Sequence, residues 1–175
     1  MVQPFVELVA EISNPDLHDL CDATDSAILD GGGFGWLKPP PRQTLERYWR
    51  GVLVVPDRIL FLGRVDGTVC GAAQLMRPPP NNEAQAAIAT LTGNFVAPWA
   101  RGQGVARMLT HAVVDEARAQ GFSFLSLDVR ETQTVAIQHY ENLGFVCWGR
   151  NPTYAMVDGE PVAGRYYTKD LRGKS

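Results

Sequence analysis

The sequence predicts a mixed α/β domain, and three observations predict it. Short runs rich in β-branched and aromatic residues alternate with longer stretches whose apolar residues recur at helical spacing. The Asp66-Gly67 pair stands between two of the short runs, a strong hairpin signal. The run Phe95 to Arg107 reads as a strand that ends in a glycine-containing turn and opens directly into an amphipathic helix.

Taken in order, Val6 to Glu11 reads as a first strand. Asn14 is the expected N-cap of a helix with Pro15 at its first position, running through Leu17, Leu20 and Cys21 toward Leu29. Gly31 to Trp36, with glycine at four positions, stops it. After Pro39-Pro40-Pro41, Thr44 to Leu53 reads as a helix with Leu45 and Trp49 on one face. Ile59 to Val65 and Val69 to Met76 are the hairpin strands, and Pro78 to Asn82 ends the second as a stiff loop. Ala86 to Val96 is a third long strand. Val105, Met108, Leu109, Ala112 and Val113 define one apolar face of a helix over Gly102 to Gln120, with Gly121 as its stop. Phe124 to Val129 alternates as a strand, and Thr134 to Leu143 is a helix closed by Gly144. Phe145 to Gly149 and Gly164 to Leu171 complete the sheet.

The strand-to-helix corner is the most informative stretch. A helix start presents unpaired backbone N–H groups and a partial positive charge. Gly102 and Gly104 let that backbone approach an anion closely. A P-loop is excluded, because Val105 and Ala106 follow Gly104 where Lys and Ser or Thr are needed. The three-glycine dinucleotide fingerprint is absent as well.

Arg101-x-x-Gly104-x-Ala106 resembles the Arg/Gln-x-x-Gly-x-Gly/Ala signature of the GNAT N-acetyltransferase superfamily. Leu127-Asp128-Val129-Arg130 and Ala136 to Phe145 are similar to the second half of that family's acetyl-CoA site. The resemblance spans about residues 88–149 and implies one GNAT domain over 1–175. Its sheet would be mixed and mostly antiparallel, flanked by helices, with splayed central strands. The Gly31–Gly35 stretch, Ala73-Gln74-Leu75 and the terminal Tyr-Tyr-Thr-Lys-Asp-Leu are similar in layout to the tabtoxin-resistance branch, which implies a small polar acceptor.

The resemblance implies acetyl-CoA as cofactor and assigns residues to it. Gly102, Gln103, Gly104, Val105, Ala106 and Arg107 would wrap the pyrophosphate, with Arg101 adding charge. Asn94, Phe95 and Val96 would pair with the pantetheine arm, the Val96 N–H polarising the thioester carbonyl. Gln133 stands where many relatives carry a cofactor-binding Asn. Tyr140 is the expected general acid for the departing thiolate, against the alternative of core packing. The general base is open. Asp128 is one candidate, its alternative being a surface pair with Arg130, and Glu83 acting through water is another. Phe34, Trp36, Glu83, Trp99 and Tyr154 are the expected acceptor-side residues. His111 and His139 carry no assigned role.

At 175 residues, 45% hydrophobic and 20% charged, the composition is that of a soluble globular domain with room for a full core. A net charge of −3 argues against nucleic acid as the main partner. No apolar run approaches the ~20 residues of a membrane span. Met1 to Ala10 lacks the charged and apolar regions of a signal peptide, so the expected compartment is the cytoplasm. Cys21, Cys70 and Cys147 form no disulfide framework, and the three histidines show no metal-ligand spacing. The leading expectation is an N-acetyltransferase acting on a small primary amine by direct transfer in a ternary complex, with a homodimer as one assembly the resemblance allows. Two alternatives stay open: a protein N-terminal or lysine acetyltransferase, since residues 131–145 are similar to ribosomal-protein alanine acetyltransferases, and a non-catalytic acyl-CoA-binding module.

Overall fold

A computed structural model describes residues 3–173. Met1, Val2, Lys174 and Ser175, the ends of the expected domain, lie outside the described residues. The chain runs β1 (Phe5–Val9), α1 (Asn14–Leu29), α2 (Arg42–Val54), β2 (Arg58–Val65), β3 (Thr68–Met76), β4 (Ile88–Val96), α3 (Val105–Ala119), β5 (Phe124–Arg130), α4 (Thr134–Asn142), β6 (Val146–Val157) and β7 (Glu160–Asp170). The seven strands form one sheet in the order β1-β2-β3-β4-β5-β7-β6. Every pairing is antiparallel except β4 with β5. The expected mixed, mostly antiparallel sheet flanked by helices is therefore present.

Alternation along the central strands explains the layering. Leu60 and Leu62 of β2 face Leu20, Leu45 and Trp49 of α1 and α2, whereas Phe61 joins Val105, Leu109 and Val113 of α3 on the opposite side. Both faces of the sheet are thus covered, and Leu60, Leu62, Leu75 and Leu109 are fully buried. Trp49 is buried too, and its indole N–H donates to Thr24 Oγ1 at 3.0 Å, satisfying the one polar atom it takes into the core. Arg64 ties the edge together, donating to Asp16 at 2.7 and 2.8 Å and to Glu7 at 2.8 Å.

Several sequence expectations shift. The N-cap of α1 is Ser13, whose side chain accepts from the Asp16 N–H, and Asn14 is already helical. The third helix begins at Val105 rather than Gly102, because Gly102 (φ +79°) and Gly104 (φ +83°) are in left-handed backbone that no helix continues through. A short 3-10 turn, Glu83–Gln85, precedes β4, which starts at Ile88 rather than Ala86. The largest difference is at the C-terminus. β6 extends to Val157 and returns through an Asp158-Gly159 turn into β7, so a long hairpin replaces the two short strands expected.

Candidate active site

The site begins where two central strands part. β4 and β5 pair only at Ile88–Thr90 with Phe124–Ser126. Beyond that the strands diverge, which is the expected splay. On the other side of β4, the register against β3 slips between Ala72 and Gln74. The extra residue is taken up around Gly93, at φ +61°. The positive φ is what calls for glycine, and a Cβ there would also come within 2.8 Å of Gln74 Nε2, so that side chain would have to shift. Ala97 N–H donates to Cys70 O at 2.7 Å, toward β3. Backbone N–H directions alternate along a strand, so the preceding N–H, that of Val96, points into the opening beside β5.

The wedge leads to the glycine turn. Gly104 caps α3 with no side-chain hydrogen bond, leaving first-turn N–H groups without a partner among the described residues. Beyond the adjoining residues, no heavy atom of the described residues lies within 4 Å of where a Cβ would stand on Gly102 or Gly104. A cavity of about 570 Å³ runs from this turn along Asn94, Phe95 and Val96 to Gln133 and Tyr140. Arg101, Gly102, Gly104, Val105, Ala106 and Arg107 all line it; Gln103 does not. Arg101 is ion-paired with Asp30 at the end of α1.

Tyr140 closes the inner end. It is buried, with Phe145 edge-on at 5.6 Å. Burial pushes its phenol up to about 12, and the neighbouring Asn94 amide pulls the other way. Packing and chemistry are not alternatives here, since the residue belongs to the core and also lines the cavity. Beside it lies a network that periodicity alone did not reveal. Asn94 Nδ2 donates to Thr110 Oγ1 at 2.8 Å, and Thr110 Oγ1 lies 2.9 Å from both Ala106 O and His139 Nε2. Thr110 has one proton, which Ala106 O takes, so His139 must carry its hydrogen on Nε2. Burial, with Arg107 and His111 nearby, lowers the pKa of His139 and holds it neutral near pH 7. His139 also lines the cavity, although its position on the helix suggested no role.

A second cavity, of about 470 Å³, opens on the other side. It shares Gly33, Asn94, Phe95, Gln133, Ala136 and Tyr140 with the first, so the two meet at the Tyr140 ring. Its outer wall carries Asp128, Arg130 and Tyr154. Asp128 does not pair with Arg130; its Oδ2 accepts the Tyr154 hydroxyl. Tyr154 lies flat against Gly164, and burial plus the Asp128 carboxylate raise its pKa well above the ordinary phenol value.

The loop after α1 straps the two cavities together. Arg130 Nη2 donates to Gly32 O at 2.7 Å and Phe34 O at 3.2 Å, and Gln133 Nε2 donates to Gly31 O at 2.7 Å. Phe34 stacks edge-on against Phe95 at 4.9 Å and lines the second cavity. The other acceptor-side expectations lie apart. Trp36 packs on Tyr48 at 5.2 Å and lines neither cavity. Trp99 is exposed and Glu83 sits in the exposed 3-10 turn before β4, and neither reaches the cavities. Both fall outside because the strand that links them, β4, carries Glu83 to the end opposite the glycine turn and leaves Trp99 on the outer side of the corner.

A splayed parallel pair, an open glycine turn at a helix start and a buried phenol where two cavities meet leave room for two ligands that touch at one point. The sequence model of the acetyltransferase (GNAT) family matches residues 18–145. An uncharacterized N-acetyltransferase from the hisH-hisA intergenic region of Azospirillum brasilense is 62% identical over 133 residues, 76% of this chain and 79% of that protein. An N-acetyltransferase structure from Staphylococcus aureus Mu50 superposes with a TM-score of 0.83 at 19% identity, covering 98% of this chain and 100% of that one. A putative acetyltransferase from Salmonella typhimurium, solved with its cofactor acetyl-CoA, gives 0.79 at 14% identity, over 99% and 97% of the two chains. This chain belongs to the GNAT acetyltransferase family. It is an acyltransferase, and acetyl-CoA is the donor that family uses.

Proposed function

We propose that the chain moves the acetyl group of acetyl-CoA directly to a primary amine of a small polar molecule, both being bound at once. The observation that carries this reading is the pair of cavities that meet at Tyr140, one opening on the glycine turn and the other on Asp128 and Tyr154. Direct transfer needs two ligands in contact at one point, and a small acceptor suits a cavity of about 470 Å³. Residues 1–175 would act as one domain in the cytoplasm. The two buried free thiols, Cys21 and Cys70, are in keeping with a reducing compartment.

The residues present fit the donor. Gly102 and Gly104 hold an open cradle that side chains would narrow, and the wedge leaves β4 backbone unpaired toward β5. Gly102, Gly104, Val105, Ala106 and Arg107, which line the cavity, would hold the pyrophosphate through backbone N–H groups, with Arg101 adding charge and Gln103 completing the turn outside the cavity. Asn94, Phe95 and Val96 would run beside the pantetheine arm, and Gln133, the N-cap of α4, would contact it. When bound, acetyl-CoA supplies an acetyl group activated as a thioester. The Val96 N–H stabilises negative charge growing on the carbonyl oxygen. Tyr140, held protonated by burial, gives its proton to the departing sulfur. Asp128, with one oxygen engaged by Tyr154, takes the acceptor's proton directly or through water.

Isothermal titration with acetyl-CoA and desulfo-CoA tests the donor half, and an amine screen by thiol release tests the acceptor half. Micromolar binding and amine-stimulated thiol release are expected. Label passing from acetyl-CoA only to protein bands would replace the small acceptor with a peptide, and slow thioester cleavage that no acceptor stimulates would replace the enzyme with a binding module.

A further inference from the structure

The second cavity carries a carboxylate and a guanidinium that are each left partly unsatisfied. Asp128 and Arg130 stand at i and i+2 on β5, so both side chains leave the same face of the strand. They form no ion pair with one another. Asp128 engages Tyr154 through Oδ2, and Oδ1 has no protein partner among the described residues. Arg130 spends only Nη2 on the strap, at Gly32 O and Phe34 O, which fixes the plane of the guanidinium. Its Nε and Nη1 have no partner among the described residues. Phe34, Leu37, Leu91 and Met156 supply apolar wall around this pair of charges.

A bare amine would leave the guanidinium unanswered. An acceptor with a carboxylate next to its amine answers both charges, because a guanidinium gives its strongest hydrogen bonds to carboxylates and phosphates. Resting on the small-amine acetyltransferase reading above, we propose that the acceptor is an amino acid with an apolar side chain, its ammonium at Asp128 and its carboxylate at Arg130. The N–C bond forms as the C–S bond breaks. The ammonium loses one proton before attack and a second as the amide forms, and the sulfur takes one, so the products are the N-acetyl amino acid, the free thiol of CoA and one proton.

Matched acceptors test this: leucine against leucinamide and 3-methylbutylamine, and phenylalanine against its amide and phenethylamine, each with acetyl-CoA. The free acids are expected to have kcat/KM at least about tenfold above their carboxylate-free partners, the size of one charge-assisted hydrogen bond. Arg130→Gln should erase that ratio and Arg130→Lys retain part of it. A ratio taken within one variant is insensitive to how much of it folds. Calorimetry supplies a readout without turnover, with N-acetylleucine expected to bind more tightly than N-acetylleucinamide and Arg130→Gln to abolish the difference. Amides or amines accepted as well as the acids would overturn the proposal and leave the N-acetyltransferase standing, as would a preference that survives Arg130→Gln. Acetylation of protein alone would overturn both.

Discussion

Asp30, the C-cap of α1, is ion-paired with Arg101, the first residue of the glycine turn. Both side chains are about half exposed. The pair therefore joins the strap over the site to the corner proposed to hold phosphate, and a phosphate there would compete with Asp30 for the same guanidinium.

Asp30→Asn should accordingly tighten acetyl-CoA binding. An exposed ion pair is worth about 0–1 kcal/mol, so the gain is at most about fivefold in Kd. It should shrink at high salt, which screens exposed charges. Titration calorimetry at two ionic strengths checks both. Weaker binding by the variant would mean that the pair pre-orients Arg101 rather than competing for it.

Tyr140→Phe should lower kcat by about a hundredfold or more while changing acetyl-CoA affinity little, since only the proton is lost. A second signature follows from the buried phenol. With the folded-state value pushed up to about 12 and the unfolded value near 10, the folded chain keeps its proton while the unfolded chain loses it. Stability is therefore full below pH 10 and falls as pH rises toward 12, by about 2–3 kcal/mol from this residue. Denaturant melts across that range should fall less steeply for Tyr140→Phe than for the parent.

Thr110→Val keeps the shape of a fully buried side chain and removes the hydroxyl that Asn94, Ala106 and His139 share. Left without partners, the Asn94 amide and His139 Nε2 should cost about 1–3 kcal/mol of stability. Thr110→Ser should recover most of it. His139 adds a dependence of opposite sense to that of Tyr140. Its folded-state pKa is depressed, so its neutral form stabilises the fold above about pH 6.5 and the contribution is lost as pH falls below that value. Urea midpoints at pH 7.5 and 5.5 for parent and His139→Gln give the comparison.

Local chemistry made much of the fold legible. Asp66-Gly67 turns the β2–β3 hairpin with both residues at positive φ, +50° and +80°. Gly121 and Gly144 end α3 and α4 in left-handed backbone as expected. The same dipeptide recurs at Asp158-Gly159, with φ +51° and +81°, and would have revealed the last hairpin. It was masked because β6 is an edge strand with exposed Val146, Trp148 and Met156 and with Pro152 in its middle, so it lacks the alternation of a half-buried strand. The left-handed glycines of the corner were readable for a related reason: the proposed anion cradle is made by consecutive residues, Arg101 to Arg107. The side-chain network was not, since Asn94, Thr110 and His139 come from β4, α3 and α4 and meet only through packing. Helical spacing correctly separates His139 from the Tyr140 face, yet the face it does occupy turns toward α3 rather than solvent.

Gly164→Ala should act on the acceptor alone. Gly164 of β7 is buried beneath the Tyr154 ring, where a Cβ would come within 2.1–2.6 Å of Cγ, Cδ1 and Cδ2. Those atoms lie next to the ring's attachment, so the clash cannot be relieved by swinging only the hydroxyl end. The whole Tyr154 side chain must move, and its hydrogen bond to Asp128 is lost. Neither residue touches the cavity that leads to the glycine turn. Acetyl-CoA affinity should therefore be unchanged, while KM for the acceptor rises about tenfold, the order expected for one hydrogen bond to a charged group. Tyr154→Phe removes the same hydrogen bond without the clash. Titration calorimetry for the donor and steady-state kinetics for the acceptor separate the effects, and equal damage by the two substitutions would show that Tyr154 acts through its hydroxyl rather than through the shape of the wall.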